Sequence, residues 1–390
     1  MNRKLFIVLG LLGAVHSSFA ARTFPEAQLP DYIKPVTDSG ERPDWSPDGK
    51  RILFLNRSGG DLYEVEVATK KVRLITKAQS GMGCWRALYL SNGDYFYSMG
   101  STSAGRKGRD GAYAYILDSG RVRPPTRINT LIREGPCLSR KSLKIAYTSD
   151  MGKIYVADIV YTNGVPAFAN AKLVADRNNV TVNGTKINTF EIEPQNFVAI
   201  DETKLTLTAY GYNNGDALLL DTQTGKFTDF TSKDKCYDEA EGIFPDGGYS
   251  LVEGNQHICG DGTGTSHIDL YRFKHDGSES GLRLTNFAKV SGYKATNPVV
   301  YDDGKFFAFQ EGHSGGLAGE GHGIYVYDLV AAGQSIPLPS TEVGTGKHGG
   351  GPLAGARGTR AHAVGKADPY DASGRARPAK AHRSPHFPAP

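Results

Sequence analysis

The chain is patterned as short runs of β-branched, aromatic and aliphatic residues, each closed by a cluster of turn formers. The clearest example begins at Pro43-Asp44-Trp45-Ser46-Pro47-Asp48-Gly49-Lys50 and continues through Arg51-Ile52-Leu53-Phe54-Leu55-Asn56. Asp61-Leu62-Tyr63-Glu64-Val65-Glu66-Val67, a polar turn, and Val72-Arg73-Leu74-Ile75-Thr76 follow. Asp-Gly between two runs of β-formers predicts a tight hairpin with φ > 0 at both central positions. The unit is therefore strand, tight turn, strand, loop, strand, turn, strand.

The same unit returns five more times in weaker spelling, centred on Asn92-Gly93, Ser139-Arg140, Asp201-Glu202, Asp246-Gly247 and Asp303-Gly304. The turns recur at roughly 44 to 61 residues, the period of propeller blades with loop insertions. One four-stranded sheet cannot bury both faces alone, so six such units predict an all-β, six-bladed β-propeller of antiparallel blades around a channel. Each of the first five units ends in an outer strand, and the sixth lacks one. Ile33-Lys34-Pro35-Val36-Thr37 stands ahead of the first unit with no partner. It is expected to complete blade six and close the ring.

The stretch from Trp45 to Phe54, with Asp61-Leu62-Tyr63 after it, resembles the TolB-type propeller repeat, and the turns at Asp246-Gly247 and Asp303-Gly304 resemble it less sharply. The resemblance spans about residues 32–329. It implies a six-bladed fold, a periplasmic or secreted setting, and binding of a protein or ligand rather than catalysis. TolB itself carries an N-terminal α/β domain. Only about a dozen residues separate the expected leader from the first strand here, so that domain is not expected and the Tol–Pal role is not transferred.

Arg3 and Lys4 precede an apolar run from Leu5 to Val15 that ends at Ser18-Phe19-Ala20, the form of a cleaved export signal over residues 1–20. The run is too short for a membrane span, and no later segment supplies one. Residues 21–330 are expected to hold the propeller. Cys84, Cys137, Cys236 and Cys259 allow three pairings in an oxidising compartment. Cys236 with Cys259 is favoured because both lie in one unit, and no zinc or C-x-x-C spacing is present. The formal charge is +4. Residues 331–390, rich in Gly, Pro and Ala, carry net +5, which leaves the body near neutrality and argues against nucleic acid as the partner. That basic tail is expected to be disordered.

Candidate chemistry lies in two places. His257, His267, His313 and His322 occupy glycine-rich insertions of units five and six and, with Glu311 or Glu320, would suit Mn²⁺, Zn²⁺ or Cu²⁺ if they converge. His275, in the turn His275-Asp276-Gly277, is expected to be solvated. Glu41, Glu134, Glu193, Glu241 and Asn297 each fall in or just before the first strand of a unit, where they would ring one mouth of the channel and favour cations or a basic peptide. The alternative is local capping, or pairing with arginines such as Arg42 or Arg133. Gly312-His313-Ser314-Gly315-Gly316 satisfies G-x-S-x-G, but the chain leads back into a strand where a hydrolase elbow needs a helix. The sequence therefore supports a monomeric binding or scaffolding module for a protein, peptide or glycan. A metal-dependent, lyase-like enzyme on polysaccharide, by analogy with oligogalacturonate lyases, is the alternative.

Overall fold

The computed structural model describes residues 28–337 apart from 104, 134, 232–234, 261–263, 317–318 and 336. The export signal over 1–20 and nearly all of the basic tail lie outside the described residues. Blade one runs outward through Glu41–Trp45, Arg51–Leu55, Leu62–Glu66 and Val72–Thr76. Blades two to five repeat that order, starting from inner strands Met82–Tyr89, Cys137–Leu138, Glu191–Phe197 and Asp238–Ile243. Blade six has Tyr293–Val300 innermost, then Phe306–His313 and Ile324–Asp328, and its outer strand is Ile33–Pro35. The chain is a six-bladed β-propeller.

Period-two alternation explains why the blades stack. In Arg51–Leu55, Ile52 and Phe54 point one way into a core shared with Ala308, Ile324 and Val326 of blade six. Leu53 and Leu55 point the other way, against Tyr89, Tyr95 and Tyr97 of blade two. A strand that is apolar on both faces needs a sheet on each side, and the ring provides one.

Closure follows the expected clasp. Ile33 pairs with Tyr327, Lys34 with Val326 and Pro35 with Tyr325. Val36 N–H donates to the Ile324 carbonyl at 2.7 Å, and Asp328 N–H donates to the Tyr32 carbonyl at 2.8 Å. Tyr32, Ile33 and Val36 are buried, so the clasp is part of the core. Beyond the last strand, Arg272 reaches out and donates to the Ser335 carbonyl at 2.5 Å, which holds the chain against blade five.

Two details differ from expectation. At the Asp-Gly turns only the glycine is left-handed: Gly49 has φ 67°, Gly247 69° and Gly304 72°, and none of the preceding aspartates has positive φ. In the first of these turns Pro47-Asp48 forms a type I turn closed by Gly49 N–H to the Ser46 carbonyl at 2.9 Å. Proline sets the φ that type I needs, so the loop is longer than a two-residue primed hairpin. The second difference is on blade four, which gains an outer hairpin of Thr181–Val182 and Thr185–Lys186.

The inner strands decide what faces the channel. Each is a sheet edge, which is why Pro43, Pro194 and Pro298 are tolerated within them. Five of the six carry a register shift, between Glu41 and Asp44, Cys84 and Arg86, Pro194 and Asn196, Glu239 and Gly242, and Thr296 and Val299. A bulge at this position re-aims side chains inward, and Arg42 and Asn297 take left-handed backbone there, with φ 55° and 48°.

Candidate functional site

Arginines cross the middle of the channel. Arg86 of blade two donates to Glu241 Oε2 of blade five at 3.1 Å. Arg140 of blade three donates to Asp302 Oδ1 of blade six at 2.9 Å and to the Trp45 carbonyl of blade one at 3.0 Å. Arg140 also lies 3.4 Å from Asp44, whose carboxyl burial pushes up to about 6 against the pull of that guanidinium. The Arg86–Glu241 and Arg140–Asp302 pairs join opposite blades, and Arg86, Arg140, Glu241 and Asp302 all line the first of three cavities.

This first cavity, of about 290 Å³, has a wall that includes Leu88, Leu138, Phe197, Ile243, Val300 and several prolines. A second cavity, of about 160 Å³, is lined by five carboxylates, Glu191, Glu193, Glu239, Glu241 and Glu253. Lys294, Arg42 and Arg109 are the cations that line it. A third cavity, of about 430 Å³, adjoins it through Arg42 and Arg109 and reaches Glu41, Trp85, Glu320 and His322.

The acidic cavity is tightly wired. Glu239 accepts from Gln195 Nε2 at 3.1 Å, from the Tyr210 hydroxyl at 2.6 Å and from the Tyr237 hydroxyl. Tyr210 also lies 3.0 Å from Glu193 Oε2. Glu241, besides Arg86, accepts from Asn297 Nδ2 at 2.8 Å, and Glu253 accepts from Asn297 N–H at 2.8 Å. Burial, and then the neighbouring charges of Glu239 and Glu241, push the Glu253 carboxyl well above the usual range. Burial of Lys294 lowers its ammonium in turn, with Glu253 opposing. Gly135 has φ 79°, and a Cβ there would overlap the Glu193 side chain, so this close approach requires glycine.

Of the residues expected to ring the mouth, Glu193, Glu241 and Asn297 line this one cavity. Glu41 sits in the adjoining one, buried, accepting from Ser58 at 2.5 Å and from Gly321 N–H at 3.2 Å, with Arg42 3.9 Å away. Burial raises its carboxyl pKa. Glu134 lies outside the described residues. Arg133 pairs instead with Asp110 at 2.9 Å. Glu239 and Glu253 did not stand out in the sequence. Glu239 lies two residues ahead of Glu241 and reaches the same cavity through the bulge, and Glu253 comes from a second strand, where channel exposure leaves no sequence signal.

The histidine insertions rim the same mouth but do not form one centre. His313 and His322 stack with ring centroids 3.7 Å apart, and His313 Nε2 lies 3.1 Å from Glu311 Oε1. Burial, with His313 adding to it, lowers the His322 pKa. His257 instead bonds the Tyr271 hydroxyl at 2.8 Å, and His267 bonds Ser266 at 2.8 Å. Among the described residues no group of three or more His, Cys, Asp or Glu is arranged to hold a metal ion. The Cys236–Cys259 disulfide, the pairing favoured from sequence, anchors the insertion that carries His257, with Cα atoms 4.6 Å apart.

His275 is the clearest correction. It is buried, not solvated: its Nδ1 lies 2.9 Å from the Gly247 carbonyl and its Nε2 2.8 Å from Ser250 Oγ. A carbonyl only accepts, so Nδ1 carries the hydrogen and Nε2 accepts from Ser250. Burial lowers its pKa to about 4. Ser314, the serine of the G-x-S-x-G match, follows a strand into a turn and donates to the Ser266 carbonyl at 2.6 Å.

No protein-family model matches the chain, and no curated protein matches it. Solved structures with a similar fold include TolB from Acinetobacter baumannii, 18% identical over 63% of this chain, with a TM-score of 0.41. The chain spans 56% of that TolB. A putative TolB from Agrobacterium tumefaciens is 15% identical over 75% of this chain and 90% of its own, with a TM-score of 0.33. An oligogalacturonate lyase in complex with manganese is 14% identical over 74% of this chain and 77% of its own, with a TM-score of 0.45. TolB proteins are thus among the structural neighbours, while the six-bladed architecture rests on the strand pairing itself and the chemistry on the residues described above.

Proposed function

We propose that this protein is an exported, monomeric binding module whose ligand is a protein or peptide segment with a cationic group, received at the acidic mouth of the propeller. The observation that carries this reading is the gathering of five carboxylates around one cavity of about 160 Å³. Confining like charges is unfavourable unless a cation offsets them, and such a field steers basic ligands and repels acidic ones. A neutral glycan brings no charge to do so. The metal-dependent lyase reading has no gathered ligand set to work from among the described residues. The arginine bridges support docking at a mouth over threading through the channel.

The test is a binding titration with peptides matched in length and graded from acidic to basic, at low and at physiological salt. Basic peptides are expected to saturate, to weaken with salt, and to weaken further in Glu191→Gln and in Glu239→Gln with Glu253→Gln. Oligosaccharides and Mn²⁺ run as parallel arms and are expected to give no saturable response. Equal binding of acidic peptides, or saturation by Mn²⁺ or a glycan alone, would overturn the proposal. Cell fractionation tests the export reading, and sedimentation tests the monomer.

A further inference from the structure

The channel has a second end with a different chemistry. Glu191, Glu239 and Lys294 stand at or next to the starts of their inner strands and line the acidic cavity. Leu88, Leu138, Phe197, Ile243 and Val300 stand at or next to the finishes of theirs and line the cavity of about 290 Å³. The blades repeat one order around the ring, so their inner strands run the same way and the two cavities lie toward opposite ends. A mostly apolar cavity of about 290 Å³ is at the lower end of the range for small-molecule sites.

Arg86 lines this cavity and neither of the other two. Its Nη2 donates to Glu241 Oε2 at 3.1 Å, while Nε is buried with no acceptor and no described residue accepts from Nη1. The other oxygen of the same carboxylate, Glu241 Oε1, accepts from Asn297 Nδ2 at 2.8 Å. A carboxylate only accepts, so the Asn297 amide is set with its NH₂ on Glu241, which leaves Oδ1 without a donor on a side chain 7% exposed. Glu241 thus holds an unused donor on one flank and an unused acceptor on the other. Gln195 Oε1, in the same wall, is a further acceptor without a donor, because its NH₂ is held by Glu239 at 3.1 Å. Buried polar groups left unpaired are costly. The buried cations of the wall are already matched, Arg86 by Glu241, Arg140 by Asp44 and Arg42 by Glu41, and the remaining charges, Lys141 and Asp302, are exposed and opposite in sign. An ionic ligand would bring a charge that nothing in this wall offsets.

We propose that this cavity is a second binding site, for a small neutral carboxamide with an apolar body, whose oxygen accepts from the free N–H groups of Arg86 and whose NH₂ donates to Asn297 Oδ1 and Gln195 Oε1. A primary amide carries a strong acceptor and two donors in one plane, the complement of what the wall leaves unused. The torsion that orients an asparagine amide is broad, so Oδ1 can turn toward the ligand while Nδ2 keeps Glu241. The body lies against the aliphatic and aromatic side chains at the finishes of the inner strands. A carboxylate would suit Arg86 but offers no hydrogen to Asn297 and places a second negative charge beside Glu241. An ammonium would suit Asn297 and sets a like charge beside Arg86. Glu241 is a positioning residue here, because it holds the donor and the acceptor in place. The site is independent of the basic-ligand reading above, which concerns the other end of the channel.

The experiment is calorimetric titration of the whole chain with phenylacetamide, phenylacetate and phenethylammonium, which share one aromatic body and differ in charge. The amide is expected to saturate a single site per chain, with each ion weaker by about tenfold or more, since each leaves a buried donor or acceptor unpaired. Ile243→Trp, which fills the cavity from a half-buried position in its wall, is expected to abolish amide binding and to leave basic-peptide binding unchanged. Arg86→Lys, which keeps a cation beside Glu241 but loses the planar fork, is expected to weaken the amide about tenfold. The Nε–H resonance of Arg86 is expected to shift as the amide saturates. No saturation by the amide, an ion that binds as tightly as the amide, or amide binding that survives Ile243→Trp overturns the proposal. If Ile243→Trp fails to fold, the Arg86 resonance decides, and a resonance that stays in place at saturation overturns the proposal. None of these outcomes bears on the acidic mouth, which the basic-peptide titration reads separately.

Discussion

Acidifying the solution should unfold this propeller partly through one side chain, His275. Its imidazole is held neutral between the Gly247 carbonyl and Ser250, beside the Phe230 ring at 4.9 Å. The folded-state pKa of about 4 lies below the ordinary 6.5. Between those values the unfolded chain binds the proton and the folded chain does not, so stability is full above about 6.5 and is lost as pH falls toward 4. A gap of about 2.5 units corresponds to about 3 kcal/mol. Asp44 acts in the opposite sense, since its raised pKa makes the folded state take up a proton below about 6. The comparison that isolates His275 is therefore between the wild-type protein and His275→Asn, whose amide keeps the bond to Gly247 but does not titrate. At pH 7 the variant should be less stable by about 1–3 kcal/mol, because the Ser250 hydroxyl loses its acceptor. Urea unfolding followed by the fluorescence of Trp45 and Trp85 at intervals from pH 7.5 to 4 gives both curves. The two should converge as pH falls. Curves that run parallel across that window would refute the buried, neutral histidine.

Three further outcomes are expected. Ile33→Ala, in the clasp strand, should cost about 2–4 kcal/mol by urea unfolding, since it opens a cavity at the ring closure; a loss below about 0.5 kcal/mol would mean that the clasp contributes little. Reducing Cys236–Cys259, which closes a loop with a sequence separation of 23, should lower stability by about 2–4 kcal/mol. Meanwhile Cys84 and Cys137, buried with thiols pushed up to about 12, should resist a thiol reagent until the protein unfolds. Arg140→Met should cost about 3 kcal/mol, because it leaves Asp44 buried without its guanidinium. It should also raise the Asp44 pKa further, which NMR titration of the carboxyl would show.

The ring was legible because its signals are local. Asp-Gly turns and period-two apolar runs sit in every stretch of a few residues, and the missing outer strand of blade six could be matched to Ile33–Pro35 by counting. The site was half legible. Glu193, Glu241 and Asn297 share a position in the repeat, so counting found them, whereas Glu253 lies on the second strand of its blade, paired with Glu239, a place that counting along inner strands does not reach. The histidines show the opposite failure. Glycine-rich insertions of adjacent blades do meet on one face, but His257 bonds Tyr271 on the strand Asp269–Lys274 and His267 bonds Ser266 in its own loop, and loop conformation decides where an imidazole points. His275 was misjudged because a turn residue is usually solvated, and its burial depends on Phe230, distant in sequence.

Joining the first strand to the last blade also sets an order of events in time. A ribosome or an export channel delivers Ile33–Pro35 at the start and its partner Ile324–Asp328 only near the finish. Until then the growing ring is an open arc with a bare strand edge at each end, the kind of surface that recruits other chains. Contacts between such distant segments also slow folding. Reconnecting the chain so that it begins inside the Asp303-Gly304 turn, with residue 330 linked to residue 31, would put the last two strands of blade six and the clasp strand next to each other in sequence. Such a permutant should close its ring sooner and aggregate less during refolding, with the same six blades at the end.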